Sequence, residues 1–168
     1  MLRTLLSFTS ISLLMLTTAY FADELSSLKN FQRNTDNLLS SALPDETHFK
    51  ALKQEGVVKV IDLIPGDRSE EKSMVEALGM AYFNIAVDWD NPTLENFQTY
   101  VTYMELENEG NTLTHCRLNW RGSAFTYLYR VTQLGEPEEV ARKDLEKIWQ
   151  PEGVWLEFIN KVKAHYRK

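Results

Sequence analysis

Several things are scarce in this chain, and each scarcity excludes a class. There is one cysteine in 168 residues. That excludes an intramolecular disulfide framework and any multi-cysteine zinc cluster. Three scattered histidines argue against a histidine-built metal centre. Seven glycines and five prolines are too few for a low-complexity or fibrous chain. Basic residues are in deficit, with Lys+Arg 18 against Asp+Glu 24 and a net charge of −6. Phosphate backbones require a basic excess, so nucleic acid is not an expected partner. The remaining composition, 43% hydrophobic and 25% charged, is that of one ordinary globular domain.

Residues 1–22 read as a secretory signal peptide. Arg3 supplies a positive start, Leu5 to Leu16 is apolar and uncharged, and small residues follow at Thr17, Thr18, Ala19 and Ala22. The apolar run is shorter than the roughly 20 residues of a membrane span. Cleavage after Ala19 or Ala22 fits, and no cysteine follows to carry a lipid. The expected location is periplasmic or secreted, with no stable membrane insertion once the leader is gone. Residues 23–36 are polar and aperiodic and read as a flexible tether. The domain is expected over 37–168.

Within it, strand-like and helix-like segments alternate. A short strand is expected near Asn37–Ser41. A helix opens at Pro44-Asp45 and Gly56 closes it. Val57 to Leu63 is β-branched and suits a buried strand. Ser69 is a plausible N-cap for a helix ending at Gly79, with Glu70 and Glu71 favourable at its positive end. Ala81 to Val87 forms the next strand, and Asn91-Pro92 opens a helix with Leu94, Phe97, Val101 and Met104 on one face. Asn111 to His115 is a strand, and helical patterns follow from Arg121, Pro137 and Glu152. This order implies a three-layer α-β-α domain with a central, mostly parallel sheet of four to five strands. Ligands of such sheets bind at the carboxyl ends of strands, so the loops after Leu63, Val87 and His115 share one rim.

The single cysteine lies on that rim, in His115-Cys116-Arg117-Leu118-Asn119-Trp120-Arg121-Gly122-Ser123. A strand enters a six-residue loop and a helix leaves it. The amides of such a loop can form an anion nest, and the helix adds its positive end. That field favours a thiolate. Arg121 can hold two oxygens of a tetrahedral anion. A nucleophile inside an anion cradle suits attack on phosphorus and a phosphocysteine intermediate. Asp88, ending the neighbouring strand, is the candidate general acid, with Asp90 the second candidate.

The His-Cys-x4-Arg loop resembles the short-loop branch of the cysteine-based protein tyrosine and dual-specificity phosphatases, in particular the bacterial β-lactamase-hydrolase-like phosphatases. The similarity runs from about Asn37 to Tyr166 and includes Asn37-Leu38-Leu39-Ser40-Ser41, Val60-Ile61-Asp62-Leu63, Ala86-Val87-Asp88-Trp89 and Pro92-Thr93-Leu94. It implies Cys116 as nucleophile, Arg121 as phosphate clamp and Asp88 as general acid, with no metal and no cofactor. Arg117, Leu118, Asn119, Trp120, Gly122 and Ser123 are then expected to line the substrate, a phosphate-bearing protein or small molecule. Two features differ from most relatives. The loop lacks an internal glycine; its interior is Arg-Leu-Asn-Trp, of which Asn119 tolerates positive φ moderately while Trp120 is bulky. Position 122, commonly Ser or Thr, is Gly, and Ser123 comes one residue late. Two other readings compete: a rhodanese-type sulfurtransferase, and a non-catalytic module that binds phosphate or sulfate.

Overall fold

The computed structural model describes residues 24–107 and 109–167. The leader expected at 1–22 lies outside them. The elements run β1 (Gln32–Arg33), β2 (Leu38–Ser41), α1 (Glu46–Gln54), β3 (Val57–Asp62), α2 (Ser69–Ala77), β4 (Ala81–Asn84), α3 (Leu94–Glu105), β5 (Asn111–His115), α4 (Trp120–Thr132), α5 (Glu138–Ile148) and α6 (Gly153–Tyr166). The sheet order is β1-β2-β5-β3-β4. β1 pairs antiparallel with β2, and every other pair is parallel. This is the expected three-layer α/β architecture. Asp62 lies in register with both Asn84 and His115, and Ser41 with His115. The strand ends therefore form one row, and the loops after β3, β4 and β5 leave from the same rim.

Alternation along the strands explains the layers. Leu39, Val60 and Leu113 belong to a core shared with Phe49, Leu52 and Val75 of α1 and α2. Leu38, Ile61 and Cys116 belong to the larger core shared with α3, α4, α5 and α6. Within it α4 is enclosed on all sides, with every residue from Arg121 to Arg130 buried. Arg130 is tolerated there because Glu136 takes its Nε and Nη2 at 2.7 and 2.8 Å, and Asp144 takes Nη1 at 2.7 Å. Lys59 is buried in β3 and donates from Nζ to the carbonyls of Tyr103 and Leu106, both at 2.7 Å, at the end of α3. Cations are favourable at that end of a helix.

Several boundaries differ from the sequence reading. Ser69 is the first residue of α2 rather than its cap. Its N–H donates to Asp67 Oδ1 at 2.9 Å, so the side chain that steadies this turn comes from two residues earlier. α3 is capped by Thr93, not Asn91. Thr93 Oγ1 accepts from Asn96 N–H (3.1 Å), and Asn96 Oδ1 accepts from Thr93 N–H (3.0 Å). A reciprocal box needs a polar partner three residues on, and Asn91 would find Leu94 there. β4 stops at Asn84 because Val87 N–H turns back onto Ile85 C=O (2.8 Å).

The tether is also corrected. Residues 24–27 are helical, Leu25 and Leu28 are buried in the core, and β1 adds an edge strand to the sheet. Two leucines three apart form a short apolar face that a search for longer periods passes over. Among the described residues no helix is long and apolar enough to cross a membrane.

Candidate active site

β5 is held on both sides where the chain leaves the sheet. Cys116 N–H donates to Ser41 C=O (3.3 Å), and Leu63 N–H donates to His115 C=O (3.0 Å). One residue further, Leu43 N–H donates to Arg117 C=O (3.4 Å), and Ala42 bridges Leu118. The loop then turns at Asn119, whose φ of +65° is the left-handed region. Asparagine reaches that region more readily than most residues. Its amide nitrogen donates to Asn30 C=O (2.8 Å) and Ser40 Oγ (3.0 Å). Asn30 in turn donates to Leu118 C=O (2.8 Å).

The same side chain accounts for the glycine at 122. A Cβ there would stand 2.4 Å from Asn119 Oδ1, well inside contact distance. A serine or threonine cannot occupy 122 while Asn119 fills the turn. Ser123 does not compensate, because its hydroxyl donates to Trp120 C=O (3.1 Å).

The first bond inside α4 is Ser123 N–H to Asn119 C=O, 2.9 Å. The amides of Trp120, Arg121 and Gly122 are therefore the unpaired donors of the helix's positive end. Arg117, Leu118 and Trp120 are exposed, whereas Cys116 is only 1% exposed. The thiol thus lies beneath the loop rather than on its rim.

Arg121 connects this loop to the acidic one. Its Nε donates to Val87 C=O at 3.0 Å, directly before Asp88, and its guanidinium carbon lies 5.4 Å from the centre of the Trp89 ring. Among the described residues its terminal nitrogens bond no partner, which leaves them for an anion. Asp88 is exposed and accepts Asp90 N–H on Oδ1 at 2.9 Å. Asp90 is exposed too, on the far side of this small turn.

Tryptophans fix the acidic loop. Trp89 lies 5.5, 5.5 and 5.1 Å from Trp120, Trp149 and Trp155. Trp120 and Trp149 stack at 5.4 Å and 13°. The indole N–H groups anchor both loops: Trp155 donates to Trp89 C=O (2.9 Å) and Trp149 to Trp120 C=O (3.0 Å). All four tryptophans of the chain meet here. The loop carries a thiol, the positively polarised start of α4 and a guanidinium within six residues, and Arg121 ties it to the base of the loop that carries Asp88. That set can bind a tetrahedral dianion and displace its ester oxygen.

No family model matches the chain, and no curated relative does. Solved structures do. A Shewanella putrefaciens protein assigned as a phosphatase of the DUF442 type is 34% identical, over 86% of this chain and 97% of that one, with a TM-score of 0.76. The chain belongs to this DUF442 family. More distant phosphatases share the fold. The catalytic core of Siw14 from S. cerevisiae, a PP-IP phosphatase solved with citrate, is 16% identical over 82% of this chain and 91% of that one, with a TM-score of 0.67. A cysteine-to-serine variant of P. aeruginosa TpbA, solved with phosphotyrosine, is 20% identical over 82% and 83%, with a TM-score of 0.59.

Within this phosphatase, sequence reading missed two supports of the loop. Asn30 and Ser40 are distant in sequence, and no local pattern ties either to Asn119. The second omission is on the other sheet face. His115 is fully buried, edge-on to Phe49 at 6.1 Å, with its Nε2 3.0 Å from Glu71 Oε1 and 3.8 Å from Asp62 Oδ1. Arg68 points inward and pairs with both Asp62 (2.6 Å) and Glu71. Burial opposes ionisation of Glu71, but His115 and Arg68 beside it hold its carboxyl below the usual range. The spacing of Arg68 and Glu71, three apart at a helix start, was the available signal.

Proposed function

We propose that the chain is an exported, cysteine-dependent phosphatase that hydrolyses phosphomonoesters of a protein or small molecule through a phosphocysteine. The observation that carries this is the loop itself. A left-handed Asn119, braced by Asn30, Ser40 and Gly122, sets the start of α4 above Cys116. In this mechanism the sulfur anion attacks phosphorus while Arg121 and the loop amides, with Arg117, Leu118 and Trp120 around the mouth, hold the phosphoryl oxygens and substrate. Asp88 protonates the departing oxygen. Water then attacks the thiophosphate, its proton passes to Asp88, and the thiolate and inorganic phosphate are released. Export rests on the leader alone.

An acid carried on the loop beside the nucleophile disfavours the sulfurtransferase reading, since sulfur transfer from thiosulfate leaves no oxygen to protonate. Hydrolysis of p-nitrophenyl phosphate by the wild type and by Cys116→Ser tests the proposal. Turnover should fall at least 10³-fold in the variant, on the order seen when a covalent nucleophile is removed. Phosphate should still raise the melting temperature of that variant. Retained turnover would show that another group does the chemistry. Phosphate-dependent stabilisation with no wild-type turnover on any ester would leave a binding module.

A further inference from the structure

Behind the loop lies a group of side chains for which phosphoryl transfer has no use. We propose that Asp62, Glu71 and His115 form a buried site for one divalent transition-metal ion of the zinc type, on the sheet face opposite the thiol. His115 and Cys116 are successive residues, so their side chains leave the sheet on opposite faces.

Four observations carry the proposal. First, the donor atoms converge. His115 Nε2 is 3.0 Å from Glu71 Oε1 and 3.8 Å from Asp62 Oδ1, and the three ligand atoms lie within 4.8 Å of one another. A tetrahedral zinc with arms of about 2.0–2.1 Å spaces its ligands by roughly 3.3 Å. Second, these atoms are unsatisfied. Glu71 Oε1 and both ring nitrogens of His115 are buried and make no hydrogen bond. The Nε2–Oε1 contact of 3.0 Å lies outside hydrogen-bond geometry. Buried polar atoms left in this way are rare and call for an explanation.

Third, the remaining carboxylate oxygens are already engaged from outside the cluster. Arg68 Nε and Tyr82 OH donate to Asp62 Oδ2 at 2.6 and 2.7 Å, and Arg68 pairs with the other oxygen of Glu71. Asp62 Oδ1, the oxygen that faces His115, also accepts Ile64 N–H at 2.8 Å and keeps a second lone pair. Outer partners of this kind orient the ligands of metal sites. Fourth, two buried carboxylates face one guanidinium, so a further cation beside them is favourable.

The donor set selects the metal. One imidazole and two carboxylates suit zinc and its neighbours, while calcium takes six to eight oxygens and magnesium keeps most of its water. A pocket of about 190 Å³, lined by Leu43, Phe49, Arg68, Glu71 and Met74 among others, reaches Glu71 from the surface and supplies a route in. Bound there, the ion ties β3, α2 and β5 together one residue before the nucleophile.

The test is binding, so its result is independent of turnover. Chelator-treated wild type and Cys116→Ser are titrated with zinc chloride by calorimetry and followed by thermal melting. Both should take up about one equivalent, with Tm raised by roughly 5 °C. Glu71→Gln should bind at least tenfold more weakly. X-ray absorption at the zinc edge of the wild type should show only nitrogen and oxygen neighbours, and this measurement stands even if Glu71→Gln does not fold. The proposal is overturned by folded wild type that takes up no zinc. Binding lost in Cys116→Ser, unchanged in Glu71→Gln, or showing a sulfur neighbour near 2.3 Å would overturn it equally.

Discussion

Two loops meet at the rim, and they are built on different principles. The cysteine loop, 116–121, is held by polar bonds to neighbouring segments: the Asn119 side chain to Asn30 C=O and Ser40 Oγ, the Asn30 side chain to Leu118 C=O, and Cys116 N–H to Ser41 C=O. The acidic loop that begins at Asp88 is held mainly by indole packing, with the Trp155 N–H on Trp89 C=O and its own Asp90-to-Asp88 bond. Hydrogen bonds fix direction to within tens of degrees, whereas stacked rings resist removal but tolerate sliding. In the proposed mechanism, the loop that must aim amides at an anion uses the first method, and the loop whose carboxylate only has to reach a leaving group uses the second. Arg121 is the one side chain bonded across both, through Val87 C=O.

The sharpest way to break the first loop is Gly122→Ala. A glycine-to-alanine change inside a helix ordinarily stabilises by about 1 kcal/mol. Here the added Cβ would meet Asn119 Oδ1 at 2.4 Å and push Asn119 off its partners. We expect the sign to reverse, with a loss of about 2–3 kcal/mol from overpacking and broken bonds. Turnover on p-nitrophenyl phosphate should fall more than tenfold. Urea denaturation together with steady-state rates checks both. An alanine variant as stable and active as wild type would show that Asn119 yields easily, and the contrast between the loops would be lost.

Asp88→Asn isolates the second loop without disturbing the first. The carboxylate is exposed and supports only the Asp90 turn, so stability should barely change. Activity should split by leaving group. An alkyl phosphate, whose oxygen needs a proton to depart, should lose about 10²–10³-fold. p-Nitrophenyl phosphate, which departs as a stable anion, should lose less than about threefold. Equal losses on both substrates would remove Asp88 from the acid role and direct attention to Asp90.

The same contrast explains what was legible in the sequence. The sheet, the rim and the six-residue loop could all be read, because each is written in local patterns: β-branched runs, helix stops such as Gly56, and a Cys-x4-Arg spacing. Asn119 could be read as a residue that tolerates positive φ, but not as the one that adopts it. What could not be read was long-range. Asn30 is nearly ninety residues from Asn119, and it sits in a segment whose only signal was Leu25 and Leu28. Gly122 looked like a departure from the family until its neighbour's side chain was placed. Glu71 looked like a helix-dipole residue, because sequence does not reveal which side of a short helix faces a buried histidine.

Trp155→Phe probes how firmly aromatic packing alone holds the acidic loop. The change keeps a ring in the cluster but removes the N–H that donates to Trp89 C=O and leaves a small void at a residue that is 1% exposed. The expected cost is about 1–2 kcal/mol, the lost bond plus partial cavity formation. Since Trp155 does not touch the bonds that fix Asn119, phosphate should raise Tm by the same amount as in wild type, and alkyl phosphate turnover should fall several-fold as Asp88 drifts. Parallel thermal shifts and rates separate the two effects. If phosphate binding weakened as much as turnover, Arg121 would be transmitting the disturbance through Val87, and the two loops would have to be treated as one mechanical unit.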